Sequence, residues 1–273
     1  MAPSLGLGLG VASSNSVSQD FLPSTIANLT LWLKVNENIF ADELSNGDAV
    51  DPEHSTTAGT MVNGDRISAW NAYGGTSINA TQDTTGDKPR WSTVSLEVGG
   101  IKSPGGNKHM DLDANITFDA NTDFTIAMRF NPLNFSASRS FLGHSTAEFF
   151  RLDDADSIRI KTDGTTSDFD SGTAMQADKD ITIIIVRSDG STGNINIFVR
   201  GEESGYFDGT TTGTAWGDEV QDTEEIIISN ILAQQDNAAE FAGTVKDIVI
   251  YDGTAVSAAQ RKDIFDYIEG QDY

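Results

Sequence analysis

The stretch that decides the fold is Phe241-Ala-Gly-Thr-Val-Lys-Asp-Ile-Val-Ile-Tyr-Asp-Gly253, followed by Ser257-Ala-Ala-Gln260. Its β-branched and aromatic residues predict a strand, which an Asp-Gly turn ends. Ser257 and Gln260 have the capping-box spacing that starts a helix. Ile264, Phe265 and Ile268 then fall on one helical face. The sequence therefore predicts a strand, a tight turn and a short terminal helix at the carboxyl end.

Strand patterns recur upstream of this stretch. Apolar residues alternate with other residues over four segments: 29–35, 124–130, 158–160 and 195–199. This period of two predicts strands that pack one face inward. Ile181–Val186 is apolar at nearly every position, which is typical of a central strand, and 188–193 supplies hairpin turn residues. We therefore expect an all-β, two-sheet antiparallel sandwich of jelly-roll type with a short C-terminal helix.

The amino-terminal segment lacks these patterns. Residues 1–27 are rich in Gly, Ser, Asn and Ala, and we predict an extended arm there, followed by one domain over 28–273. Two interpretations stay open. The arm is a free tail, or its alternating apolar residues dock on a neighbouring subunit, because exposed leucines gain nothing in water. These residues are Leu5, Leu7, Leu9 and Val11.

The charge balance limits the partners. The 273 residues include 17 Lys+Arg against 41 Asp+Glu, for a formal net charge of -24. Such a surface repels nucleic acid and anionic membranes. There is no cysteine, so disulfides and thiol chemistry are excluded. No basic residue precedes the apolar N-terminal run and no apolar run is long enough to span a bilayer, so we expect neither a cleaved leader nor a membrane span.

Several blocks resemble the laminin-G-like branch of the concanavalin A-like lectin/glucanase superfamily. They are Leu31–Lys34, Ile67–Trp70 with Gly75, Ala80–Gln82, Lys88–Trp91, Asp123–Ile126 and the closing stretch from Phe241. The resemblance runs from about residue 29 to the end and implies a concanavalin A-like sandwich. Asn71 stands where an Asp is usual, and Val256 where Leu is common. The superfamily includes lectins, glucanases, adhesive modules and viral structural proteins, so the fold alone does not choose among them.

The arm, the acidic surface and the absence of a leader together resemble virion structural proteins of tailed bacteriophages. This resemblance implies a capsid decoration or appendage protein, made in the host cytoplasm and placed on the particle surface. Its partners would be other virion proteins or sister subunits, and we expect a homo-oligomer. The alternative is a carbohydrate-binding module that adheres to cell-surface glycans.

Catalytic patterns are missing from the sequence. The Glu-x-Asp-x-x-Glu strand of the superfamily's glycosidases is absent, as is Gly-x-Ser-x-Gly. Glu202–Glu203 and Glu224–Glu225 are adjacent pairs, whose members point to opposite faces of a strand. His54, His109 and His144 are isolated in the sequence. We expect a protein that is not an enzyme.

Two acidic loops are candidate calcium sites. One holds Asp153, Asp154 and Asp156, and the other holds Asp163 together with Asp168 and Asp170. Calcium prefers several carboxylate and carbonyl oxygens that converge on one point. The alternative is an ordinary solvated acidic surface, and calcium is the only cofactor that the sequence suggests.

Aromatic residues in polar loops are candidate sugar platforms. Trp216 lies in a Gly- and Thr-rich loop with Asp218, and Tyr206 is close in sequence. Tyr73 is a further candidate, as is Trp91. The alternative is that these aromatics anchor loops to the sandwich. Trp32 and Trp70 are expected in the core.

Overall fold

The computed structural model describes residues 21–35, 37–43, 61–93, 100–135, 139–154, 157–163, 165–170, 175–189, 191–201, 214–215, 217–235 and 238–270. Nineteen strands and one α-helix lie in these ranges: β1 (Leu29–Lys34), β2 (Ile39–Glu43), β3 (Arg66–Trp70), β4 (Gly74–Gly75), β5 (Ala80–Thr81), β6 (Arg90–Ser92), β7 (Gly100–Pro104), β8 (Met110–Phe118), β9 (Phe124–Pro132), β10 (Arg139–Ser145), β11 (Glu148–Leu152), β12 (Ser157–Lys161), β13 (Thr166–Asp170), β14 (Ile181–Ser188), β15 (Asn194–Gly201), β16 (Thr214–Ala215), β17 (Val220–Gln221), β18 (Ile226–Ile231), β19 (Ala242–Asp252) and α1 (Ala258–Glu269).

The strands form two antiparallel layers. In the first layer the order is β15-β14-β9-β19, with β1 and β7 side by side on the far edge of β19 and β4 beyond β1. The short strands β16 and β17 pair with the other edge of β15. In the second layer the order is β2-β3-β5-β8-β18-β10-β11-β12-β13. β6 pairs with both β3 and β7 and so joins the layers.

Aromatic side chains from the two layers meet between them. Phe124 of β9 stacks on Phe118 of β8, with ring centroids 4.4 Å apart, and contacts Phe150 of β11 edge-on at 6.3 Å. Phe130 of β9 stacks on Phe141 of β10 at 6.1 Å. All five side chains are fully buried. This face-to-face packing is a β-sandwich core, and the predicted fold class is confirmed.

The central strand β14 is also as predicted. It pairs with β15 on one side and β9 on the other, and residues 181–186 are buried. Trp32 and Trp70 are buried as expected.

Helix α1 covers the outer face of the first layer. Ser257 accepts a hydrogen bond from the Gln260 backbone N–H, and the Gln260 side chain accepts one from the Ser257 backbone N–H. Ile264, Phe265 and Ile268 are fully buried, as the sequence predicted. The helix has 12 residues, and in the described part of the chain no helix is long and apolar enough to cross a membrane.

This helix explains why β9 is buried on both faces. The alternation over 124–130 predicts one inward face, yet Thr125 and Ala127 on the other face are also fully buried. Ala127 belongs to a second apolar cluster between the sheet and α1, together with Ile184 and Val249 of the neighbouring strands. The alternation of side chains in a strand shows which residues share a face, but it does not show whether a helix packs on the second face.

The boundary of the predicted arm needs a correction. Within 21–27, Phe21 contacts Tyr267 edge-on at 6.2 Å, and Ile26 is buried in the cluster under α1. The Tyr251 hydroxyl donates to the Pro23 carbonyl at 2.9 Å. These residues therefore belong to the sandwich, whereas residues 1–20 lie outside the described residues.

Candidate functional site

Two arginines and two aspartates form a polar network on the outer face of the second layer. Arg151 on β11 is paired in register with Arg159 on β12, which is paired in turn with Asp168 on β13. Asp153 follows Arg151 by two positions, so it emerges on the same side of the chain. We call these four residues the arginine–aspartate ladder.

The hydrogen bonds of the ladder are short and directional. Arg151 Nη2 lies 2.8 Å from Asp153 Oδ1, and Arg159 Nη2 lies 3.0 Å from Asp153 Oδ2. Arg159 also donates two hydrogen bonds to Asp168, one from Nε to Oδ1 and one from Nη2 to Oδ2 at 3.0 Å. Such two-point pairing fixes the plane of the guanidinium as well as its position. The ladder is therefore an ordered arrangement of donors and acceptors.

The ladder is partly open to solvent and rests on an aromatic ring. The exposed fractions are 27% for the Arg159 side chain and 39% for that of Asp168. The Arg151 guanidinium lies 4.5 Å from the centroid of the Phe149 ring, which is buried beneath it. The hydrogen bond that Arg159 donates to Asp168 raises the pKa of Arg159 above its ordinary value, so the guanidinium stays charged at all physiological pH values.

A loop of the first layer reaches the edge of the ladder. A Cβ atom added at Gly217 would lie 3.1 Å from the Asp170 backbone N and 3.2 Å from the Phe169 carbonyl carbon. Gly217 also has φ of +66°, which favours glycine. This close approach places the Gly217 backbone against the Phe169–Asp170 end of β13, and the neighbouring Asp218 is exposed. The structure thus brings together part of a predicted sugar loop and part of a predicted calcium loop.

Two of the predicted calcium ligands, Asp153 and Asp163, lie at opposite ends of β12. Asp153 and the exposed Asp154 precede the strand and lie at the ladder. Asp163 follows the strand in the turn toward β13. Because β12 has five residues, its ends are about 15 Å apart. Asp156 lies outside the described residues, and one ion cannot reach both Asp153 and Asp163. Asp168, of the second predicted group, instead shares Arg159 with Asp153.

Both oxygens of Asp153 already contact arginines. Within the residues that the structure describes, no group of three His, Cys, Asp or Glu side chains is arranged to hold a metal. Calcium binding stays a prediction.

Tyr73 lies at the other edge of the first layer. Its ring contacts Trp32 edge-on at 4.7 Å, and Lys34 Nζ is 4.8 Å from its centroid. The exposed fraction of Tyr73 is 44%. β1 and β15 are four strand spacings apart, or about 19 Å, so Tyr73 and the Gly217–Asp218 segment belong to different surfaces.

The other predicted aromatics divide into two groups. Trp91 is buried, which agrees with the anchoring alternative and excludes a sugar platform. Trp216 and Tyr206 lie outside the described residues, as do Leu5, Leu7, Leu9 and Val11 of the predicted arm. Their roles stay predictions.

The sequence did not single out the arginines of the ladder. Arg151 and Arg159 each occupy the polar position of an alternating strand, which is the ordinary place for a solvated side chain. Only the strand pairing shows that they meet. A second polar pair was also missed: His144 Nδ1 lies 2.9 Å from Ser229 Oγ across β10 and β18.

Residues 104–260, more than half of the chain, match the Laminin_G_3 family of the concanavalin A-like lectin/glucanases superfamily. The protein therefore belongs to this family, and the resemblance in the sequence is confirmed. A search of curated proteins found no match.

Solved structures show distant likenesses. The Trypanosoma rangeli sialidase in complex with 2,3-difluoro-KDN is 11% identical with a TM-score of 0.46; the match covers 88% of this chain and 32% of the sialidase. Domain 4 of AbnA, an extracellular arabinanase from Geobacillus stearothermophilus in complex with arabinotriose, is 12% identical with a TM-score of 0.42, covering 87% and 98%. The CBM40 of Ruminococcus gnavus IT-sialidase, bound to α2,3-sialyllactose, is 14% identical with a TM-score of 0.37, covering 60% and 95%. This chain thus spans about a third of the sialidase.

Proposed function

We propose that this domain is a non-catalytic, lectin-like module that binds carbohydrate at the arginine–aspartate ladder. The observation that carries the proposal is the Arg159 guanidinium, fixed by Asp153 and Asp168 on an exposed sheet face of a lectin/glucanase-superfamily fold.

The chemistry of the ladder suits a polyhydroxyl ligand. A sugar hydroxyl both donates and accepts hydrogen bonds, so it gains from donors and acceptors that lie side by side. Guanidinium nitrogens supply the donors, and carboxylate oxygens supply the acceptors. Because neighbouring groups already hold each side chain, little rotamer freedom is lost when a ligand binds.

Titration calorimetry after a glycan-array screen tests this proposal. We expect the wild-type protein to bind at least one oligosaccharide, and Arg159→Ala to weaken binding about 10- to 100-fold, the usual effect of losing charged hydrogen bonds. Asp163→Asn, at the far end of β12, is the matched control and should stay within about twofold of wild type. A blank array would refute carbohydrate binding, and full affinity in Arg159→Ala would place the site elsewhere.

A finer proposal is that the module serves on the particle of a tailed phage as a decoration or appendage protein. Its support is the acidic composition and the apolar alternation of residues 5–11. Deletion of residues 1–20 should abolish incorporation into particles, as measured by mass spectrometry of purified virions. Unchanged incorporation would contradict the role of the arm.

A further inference from the structure

The row of side chains that crosses the ladder becomes steadily more exposed from β10 to β13. Strand pairing puts Ser140 of β10 in register with Arg151, and the row continues through Arg159 to Asp168. Ser140 is fully buried, whereas the exposed fractions of the three following side chains are 16%, 27% and 39%. The site is therefore closed at β10 and open at β13, the last strand of the layer, about 14 Å away.

The segment that follows β18 closes the β10 side. Gly143 of β10 is in register with Phe149, whose ring lies under the ladder. A Cβ atom added at Gly143 would lie 2.7 Å from the Gln234 Cα atom and closer still to the Gln234 carbonyl oxygen. The Gln234 backbone therefore rests directly on the outer face of β10. We call residues 232–235 and 238–240 the β10 cover.

The β10 cover keeps its position at a backbone cost. It starts at Leu232 with φ of +68° and returns through Ala239 with φ of +49°, a region that residues with a side chain rarely adopt. Leu232 is fully buried in the core, and Glu240 is bridged to Ser140 and is also buried. Backbone strain of this kind is typical of functional sites, where the surrounding structure maintains it. The cover is thus a fixed wall of the site.

A second side of the ladder is bounded by Lys161. This residue lies on the same face, in register with Phe149, and its Nζ atom donates to the Thr146 carbonyl at 2.8 Å. Thr146 lies in the turn between β10 and β11, so the lysine side chain spans β11 at that end of the strand. The open directions are the β13 side and the end of β11 at which Asp153 lies.

We propose that the ladder binds the end of a glycan chain and not an internal unit. This inference rests on the proposed carbohydrate-binding function and names its ligand class, a glycan with a free terminal unit. A chain that passes straight over the ladder needs two opposite open sides. Here the β10 cover closes the side opposite β13, and Lys161 bounds the end opposite Asp153. The terminal unit would therefore lie on Arg151 and Arg159, and the rest of the chain would leave past β13.

The number of protein molecules bound per chain tests this inference. The probe is the strongest ligand of the glycan array, prepared as a trisaccharide, a hexasaccharide and a dodecasaccharide and measured by titration calorimetry. We expect one protein molecule per chain at every length, with affinities within about twofold of each other, because units beyond β13 add no contacts. Recognition of internal units would instead place more than one protein molecule on the dodecasaccharide.

Modification of one chain end at a time identifies the end that binds. Methylation of the non-reducing end and attachment of a linker to the reducing end each add bulk to one terminus. One of these changes should weaken binding at least about tenfold, because the added group meets the closed sides of the site, and the other should have no effect. Full affinity after both modifications would overturn the inference.

A matched pair of glycine variants tests the wall itself. In Gly143→Ala the added methyl group cannot fit unless the Gln234 backbone moves, so we expect binding of the trisaccharide to weaken at least about threefold. Gly86→Ala is the control, because a Cβ atom there would have no neighbour within 4 Å. Thermal unfolding checks that both variants fold, and the length series on wild-type protein tests the inference without either of them.

The outcomes distinguish this inference from the proposed function. Several protein molecules per dodecasaccharide, with binding lost in Arg159→Ala, would overturn chain-end recognition and leave carbohydrate binding at the ladder intact. Equal affinities in Gly143→Ala and Gly86→Ala would overturn the role of the β10 cover. A protein that binds no glycan would refute the proposed function and chain-end recognition together.

Discussion

Asp247 is a buried carboxyl group beneath helix α1. It lies on β19 at 1% exposure, paired in register with Arg129 on β9 and Lys34 on β1. Burial raises the pKa of Asp247 from 3.8 to about 7, and the Arg129 charge opposes this shift only in part. The folded protein therefore holds a proton on Asp247 over a pH range in which the unfolded chain has lost it.

This raised pKa predicts how stability depends on pH. Between about pH 4 and pH 7 the folded state binds more protons at Asp247, so its contribution to the free energy of unfolding falls as the pH rises. Asp247→Asn should remove this fall and stabilise the protein at pH 8 by roughly 1–4 kcal/mol. Urea unfolding of the wild type and of Asp247→Asn at pH 4, 6 and 8 measures this difference in stability.

The difference in unfolding free energy between the wild type and Asp247→Asn reports on Asp247, because the other titrating groups are the same in both proteins. The pKa of Asp180, for example, is lowered by Lys246 and Arg129 despite its burial, and its contribution is lost as the pH falls. A constant difference in unfolding free energy across the three pH values would contradict the prediction.

At the level of elements, α1 is held at both ends by polar contacts. Its start has the capping box of Ser257 and Gln260. At its end, Arg129 donates from Nη1 to the Ile268 carbonyl at 3.1 Å and from Nη2 to Asp180 at 2.7 Å. A cation at the last carbonyls also offsets the negative end of the helix dipole. The apolar face between these contacts buries the outer side of β9, β14 and β19.

Removal of the cap should weaken the helix. Ser257→Ala loses the hydrogen bond to the Gln260 backbone N–H and is expected to lower the free energy of unfolding by about 0.5–2 kcal/mol. Thermal or urea unfolding followed by circular dichroism measures this change. Ser191→Ala, an exposed turn substitution, is the control, and an equal loss in both variants would contradict a specific role for the cap.

For the whole molecule, the sequence predicted the fold better than the site. The capping box and the alternating strands are local patterns, so the helix start and the strands that they predict do not depend on residues far away in the sequence. Gly75, which belongs to one of the blocks that resemble the family, shows the limit of such patterns. It has φ of +94°, and a Cβ atom there would lie 2.6 Å from the Thr30 carbonyl oxygen. The sequence marked Gly75 but could not show this contact.

The ladder could not be predicted because it depends on strand pairing. Arg151 and Arg159 are eight positions apart and become neighbours only through the register of β11 and β12. Gly217 reaches Asp170 only because the two layers meet at that edge. The composition predicted an acidic surface, but only the tertiary structure showed where Arg151 and Arg159 lie on it.

Hydrogen–deuterium exchange with and without a bound oligosaccharide tests most directly where this domain binds. The ladder predicts slower exchange confined to residues 149–154, 157–161, 166–170 and 217–219. Slower exchange around Tyr73 and β1, with no change in β11–β13, would contradict it.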